Sequence, residues 1–265
     1  MAPKVKDIQS WIHQIAPEDT AMEWDAVGLQ IGDPDRIITR VLIALDLTQT
    51  VVTEAVTGGY EIVVLHHPFI FKPIAQIRLD MPVGKMLTAL LTHGIAVLVA
   101  HTNLDLAPQG VSQILAERLD LMDIRPLTES GLGRMGNLAE PMRLVAFADG
   151  VAAKLDSPHL RILGEPDQMV TRVAVCGGSG GDLIPAMDIC DLDVLVTGDI
   201  AYHDAMAAIE MGLSLIDAGH RETERPVLDH LATYLRQQLD AHGHEDVAVT
   251  VSSQGNTSIW MDNKG

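Results

Sequence analysis

The chain has 265 residues and a formal net charge of -18, from 18 Lys and Arg against 36 Asp and Glu. That balance excludes a nucleic-acid backbone or an anionic membrane surface as the main partner, since both need clustered basic residues. A hydrophobic content of 47% excludes wholesale disorder, and 11 His against only 18 Lys and Arg make histidine chemistry worth tracing.

In chain order, Val5, Ile8, Ile12 and Ile15 repeat at helical spacing. Arg40 to Asp46 (RVLIALD) is a short β-branched run that predicts a strand buried on both faces. A helix follows over 48–57, closed by Gly58 and Gly59. Glu61 to Pro68 (EIVVLHHP) predicts a second buried strand stopped by proline. Helix 83–92 leads to a third strand at Gly94 to Asp105, which runs into a polar turn, and helix 110–119 follows. Gly131 to Gly136 (GLGRMG) reads as a loop, and Leu144, Phe147, Val151 and Leu155 share a helical face.

The pattern then recurs. Thr171 to Gly181 predicts a strand and glycine turn, 183–189 a short helix, 193–199 a strand, 201–211 a helix, and 213–220 a strand. Helix 225–239 and a half-exposed strand at 247–253 close the chain. The spacing of Val41 and Val63 is nearly repeated by Val173 and Val194. The expected fold is α/β: two related βαβαβ halves forming a two-domain protein with a metal cleft between them. The first domain is placed at residues 1–127 with 220–265, and the second at 128–219. Parallel βαβ units carry functional groups at the carboxyl ends of their strands.

Those ends hold His66-His67-Pro68, His101 to Asp105, and His220 to Glu224. Taken singly, each reads almost as well as a polar strand terminus or a capped turn. Together they set three His/carboxylate clusters at strand ends that the repeat predicts to lie along a cleft, where random surface histidines would not gather. His66, His67, Asp105, His220 and Glu224 make five ligands, with His101 as a sixth candidate. A closed structural zinc needs four, whereas this number with two carboxylates suits two ions. The donor chemistry admits zinc, iron or manganese. His101 and His203 are candidate proton shuttles. Gly178, Ser179 and Gly180, in a glycine turn between strand and helix, are a candidate anion site without a P-loop lysine; a plain tight turn is the competing reading. Thr197 and Asp199 could orient ligands or water. GLGRMG matches a dinucleotide fingerprint only in letters, because no strand precedes it. Ser179 lacks an adjacent base, and His13, His230, His242 and His244 read as structural.

Cys176 and Cys190 are too few for a disulfide framework. No apolar run approaches the roughly 20 residues of a membrane span. The opening MAPKVKDIQSW lacks the apolar core of a signal peptide. A cytoplasmic protein is expected.

Several of these segments occur in the same order in a known family. Glu23-Trp24-Asp25 with Val27 to Gly32, His66-His67-Pro68, Asn103-Leu104-Asp105, GLGRMG, CGGSG, TGD with His203, and GHRETE ending at Glu224 together resemble the Nif-three-like (NGG-one-interacting factor three) family. Its bacterial members are often named GTP cyclohydrolase I type 2 homologues. The resemblance implies a two-domain α/β fold, a dinuclear metal centre held by the same five ligands, and a toroidal homo-oligomer, commonly a hexamer. It implies a metal-dependent hydrolase with a small-molecule substrate such as a nucleotide, purine ring opening included. A non-catalytic metal-binding or delivery protein and an oligomeric interaction scaffold are the alternatives. Ala26 stands where the family usually has Asn, and the inserted domain of longer relatives is missing.

Overall fold

A computed structural model describes residues 2–186 and 192–253. Along the chain lie α1 (Val5–Ile15), β1 (Gly28–Ile31), β2 (Arg40–Ala44), α2 (Gln49–Gly58), β3 (Ile62–Leu65), α3 (Pro82–His93), β4 (Ala96–Val99), α4 (Thr102–Leu106) and α5 (Val111–Arg118). Then come β5 (Met122–Pro126), β6 (Arg134–Arg143), α6 (Leu144–Leu155), β7 (Arg161–Leu163), β8 (Met169–Ser179) and β9 (Val194–Gly198). The series ends with α7 (Tyr202–Glu210), β10 (Ser214–Asp217), α8 (His220–Glu224), α9 (Pro226–Ala241) and β11 (Ala248–Val251).

The chain divides into two compact units, Met1–Thr102 with Leu231–Gly265, and Asn103–His230. These limits differ from the boundaries at 127 and 220 read from the sequence. The reason lies in packing: Leu115, Ala116 and Leu119 of the α5 region belong to the same apolar core as Val173, Val194 and Ile216. Residues 103–127 therefore go with the second unit.

The first unit is built on a sheet of order β1-β4-β3-β2-β11. β11, β2, β3 and β4 run parallel, and β1 lies antiparallel on β4. All four residues of β3 and of β4 are buried, as expected where helices cover a parallel sheet on both faces. Val64 pairs with Ile43 on one side and Leu98 on the other, so the three strands end level. Local signals set the helices between them. Thr48 caps α2 by accepting a hydrogen bond from the Val51 amide at 3.2 Å, and Gly59 ends it with φ of 64°. Pro82 opens α3. Each fully buried aliphatic side chain in this core stabilises the fold by about 1.5–3 kcal/mol.

The second unit has a sheet of order β5-β6-β8-β9-β10-β7. β8, β9 and β10 are parallel and the remaining pairings antiparallel. On one face Leu144, Phe147 and Val151 of α6 pack over Val173, Val175, Val194 and Val196. On the other, Ala205 and Ala208 of α7 join Ala174, Leu195 and Leu215. The alternation of Val173, Ala174 and Val175 between the two cores follows from the period of a strand.

Each unit thus carries three parallel strands in sequence order, β2, β3 and β4 in the first and β8, β9 and β10 in the second. The likeness extends one strand further than the sequence reading: β1 is antiparallel to β4, the last parallel strand of its half, and β7 is antiparallel to β10, the last of the other. Two predicted segments change. Arg134 to Gly136 of GLGRMG opens strand β6 instead of lying in a loop. The helix expected at 183–189 is a 3-10 helix at Gly181–Ala186; its remaining residues and Cys190 lie outside the described residues. No helix among the described residues is long and apolar enough to cross a membrane.

Candidate metal-binding clusters

In the first unit, strand pairing continues past β3 and β4 and so positions the histidines. The His66 amide donates to Ala44 O at 3.2 Å, the His67 amide to Leu45 O at 2.9 Å, and the Ala100 amide to Leu65 O at 2.9 Å. His66, His67 and His101 consequently meet at the carboxyl edge of the sheet. Their ring centroids stand 4.9, 5.3 and 5.6 Å apart, and one ring nitrogen from each lies within 4.8 Å of the others.

Each of these rings is oriented through Nδ1. His66 donates to Ala100 O at 2.9 Å, a carbonyl that can only accept. His67 donates to Asp46 Oδ1 at 2.8 Å and His101 to Asp25 Oδ1 at 2.9 Å. A proton on Nδ1 makes Nε2 the lone-pair nitrogen, the tautomer of a metal-ligating imidazole. Asp25 also accepts from Thr102 N at 3.0 Å and Thr102 Oγ1 at 2.6 Å. Burial opposes its ionisation, but the bonds from His101 and Thr102 outweigh burial and hold its carboxyl below the usual value. Burial lowers the pKa of His101 in turn, against the pull of Asp25.

In the second unit, α8 follows β10 and carries His220 and Glu224 one turn apart. His220 Nδ1 donates to Asp199 Oδ2 at 2.9 Å, and His220 Nε2 lies 3.0 Å from Glu224 Oε1. A second ring proton, or a metal cation in its place, satisfies His220 Nε2 and the Glu224 carboxylate together. Glu224 is only 4% exposed. Asp105, on α4, and Glu224 both act on Cys176: burial first, then these two charges, push its thiol up to about 12.

The glycine turn at 177–180 packs against this cluster. The Gly178 amide donates to Thr223 Oγ1 at 3.0 Å and the Gly180 amide to Thr197 Oγ1 at 2.9 Å. Threonine hydroxyls thus engage the Gly178 and Gly180 amides. Gly178 has φ of +70°, and a Cβ there would lie 2.4 Å from Glu224 Oε1 and 3.3 Å from His220 Nε2. The turn is the close-fitting floor under His220 and Glu224.

GLGRMG also has a structural role. The buried Arg134 guanidinium donates to Gly131 O at 2.6 Å, Gly133 O at 2.8 Å, Ala107 O at 2.8 Å and Gln113 Oε1 at 3.0 Å. It clamps the connection between α4 and α5, and with it the helix bearing Asp105. His203 stands exposed on the first turn of α7 with its ring against Tyr202. His242 packs on Trp11 and His13 accepts from the Glu18 amide, consistent with structural roles. Asp46 is a contributor that sequence reasoning missed: it lies 21 residues from the histidine it holds, with no local spacing to betray it.

A family model described as Duf34/NIF3 (NGG1p interacting factor 3) matches residues 3–257. A Clostridium perfringens protein named GTP cyclohydrolase 1 type 2 homolog is 33% identical over 257 residues, covering 95% of this chain and 97% of that protein. Among solved structures, a Bacillus cereus protein related to NIF3 superposes with a TM-score of 0.93 at 26% identity, covering 99% and 100% of the two chains. A Staphylococcus aureus hypothetical protein gives 0.92 at 31% identity, covering 99% and 100%.

Proposed function

The chain belongs to the Duf34/NIF3 (NGG1p interacting factor 3) family, and from that premise we propose that it is a metal-dependent hydrolase holding two divalent ions on His66, His67, Asp105, His220 and Glu224. The observation that carries the reading is shared by four histidines. His66, His67, His101 and His220 each commit Nδ1 to an oxygen at 2.8 to 2.9 Å, so each presents Nε2 as a lone-pair donor. Imidazoles are oriented in this way when they ligate metal. Added to two carboxylates, they exceed what a closed structural zinc requires. Zinc, iron and manganese all accept this donor set.

When bound, such ions supply Lewis acidity, acidifying water and polarising a substrate oxygen. The protein's own groups supply orientation and proton handling. Asp46, Asp25 and Asp199 fix the imidazoles. His101, whose pKa burial lowers, can take a proton at Nε2 and return it. The substrate we propose is a small molecule, with a purine nucleotide opened by hydrolysis as the class suggested by the relatives' name. A homo-oligomeric ring, hexameric, in the cytoplasm completes the proposal, and light scattering measures the ring size.

The test is to purify the protein without chelator or nickel resin, measure its metals by element-resolved analysis, and assay GTP and a phosphoester panel before and after chelation. Turnover lost both on chelation and in Glu224→Ala supports the hydrolase. Stoichiometric metal with no turnover on any substrate favours metal storage or delivery. An assembly that stays intact and binds partners without metal favours a scaffold. Full metal content in His66→Ala, Asp105→Ala and His220→Ala alike overturns the ligand assignment.

A further inference from the structure

The chain has only three Trp, three Tyr and three Phe. Two of these nine stand together in water at the edge of the first unit's histidine cluster. Trp24 is 60% exposed and Phe71 47%. Their rings meet edge to face at 5.8 Å, and Trp24 meets His101 in the same manner at 6.3 Å. Large aromatic side chains are normally withdrawn into a core, so a pair shown to solvent needs another reason.

The backbone beneath the pair is fixed. Asp25, next to Trp24, is bound by His101 and by both the amide and hydroxyl of Thr102. The Gln30 side-chain amide donates to Ala26 O at 2.8 Å and Ile70 O at 3.1 Å, and its carbonyl accepts from the Ile70 amide at 2.9 Å. Gln30 thus staples the segment bearing Trp24 to the segment bearing Phe71. Exposed rings on a locked frame make little contribution to the core but are preorganised to receive a flat partner. Ala26 leaves this frame intact, because its part in it is a backbone carbonyl.

We propose that Trp24 and Phe71 form a stacking platform that binds a planar heteroaromatic ring beside His66, His67 and His101. An aromatic face accepts any such ring, and alanine replacement of a stacking residue weakens binding by roughly 5- to 150-fold per base. The platform refines the hydrolase reading and rests on it for what becomes of the bound ring; the binding itself stands apart from the metal.

Saturation-transfer NMR and equilibrium dialysis with guanosine, adenosine and ribose 5-phosphate test it. They are run on wild type, Trp24→Phe, Trp24→Ala and Phe71→Ala, with and without added zinc, and metal content and circular dichroism are recorded for each. Both nucleosides are expected to bind and ribose 5-phosphate not to bind. Trp24→Phe should stay within about threefold of wild type, while Trp24→Ala loses at least tenfold with folding and metal content unchanged. Equal binding of ribose 5-phosphate, wild-type nucleoside affinity in Trp24→Ala, or no nucleoside binding by wild type overturns the platform. Nucleoside binding that depends on Trp24 in a protein that holds no metal supports the platform while removing the metal reading, so the two fail separately.

Discussion

Asp199 accepts the Nδ1 proton of His220 at 2.9 Å from a backbone held at φ of 52°, in the left-handed region. The bond and the unusual backbone belong together, since the turn after β9 has to bring a carboxylate back toward α8. Asparagine and aspartate enter this region more readily than other non-glycine residues. Asp199→Asn should therefore keep both the turn and an acceptor oxygen, and stay within a few-fold of wild-type zinc affinity. Asp199→Ala and Asp199→Gly should lose about 10–100-fold, as expected when the partner of a ligating histidine is removed. Chelator competition measures this. Equal losses in all three variants would show that the charge, not the acceptor, matters.

Gly178→Ala should both destabilise the protein and deplete its metal. A Cβ at Gly178 would stand 2.4 Å from Glu224 Oε1 on a backbone at φ of +70°. A cost of about 1–3 kcal/mol is expected. Gly243 provides the control: it has φ of +74° with open space around its Cβ position. Gly243→Ala should show only the backbone part, about 1 kcal/mol, with metal content unchanged. Thermal melts and element analysis of both variants decide.

Cys176 should resist alkylation in the native state. It is buried, and its thiol is pushed up to about 12 from the usual 9.0, burial being the main cause. Above pH 9.0 the unfolded chain releases this proton and the native chain keeps it, so stability falls as pH rises from 9 toward 12. Below pH 9 the group has no effect. Cys176→Ala should flatten that alkaline slope in denaturant titrations. Iodoacetamide labelling at pH 8 should be slow until the protein is unfolded.

Gln30→Leu should leave the Ile70 amide and the Ala26 carbonyl without their side-chain partner, which costs about 1–3 kcal/mol. Hydrogen exchange should quicken at Ile70 while metal content holds. An unchanged exchange rate would show that the staple is not what holds these two segments.

Much of this was legible in the sequence because parallel strands buried on both faces leave continuous apolar runs. RVLIA, IVVL and AVLV could be read directly. β5 and β7 could not: their residues are mostly exposed, and neither alternates cleanly. β1, of four residues, opens on a glycine. The histidines were visible because each follows a readable strand. Asp46 was hidden by distance, lying 21 residues from its partner, and Asp25, though part of a recognised motif, gave no sign of its partner 76 residues away. The partners of the Gly178 and Gly180 amides in the CGGSG turn were not legible in one dimension. Thr197 and Thr223, which engage them, arrive from later elements.

The first unit closes with β11, which lies parallel to β2 along the sheet edge. β11 spans Ala248–Val251, and the whole second unit, Asn103–His230, is spelled out before it. During synthesis the unit that begins at the amino terminus is thus the one that finishes last. Every residue of the second unit has left the ribosome before its host sheet gains its final strand. The order of folding on the ribosome can run opposite to the order of the chain, with the insert closing first, against the usual amino-terminal precedence.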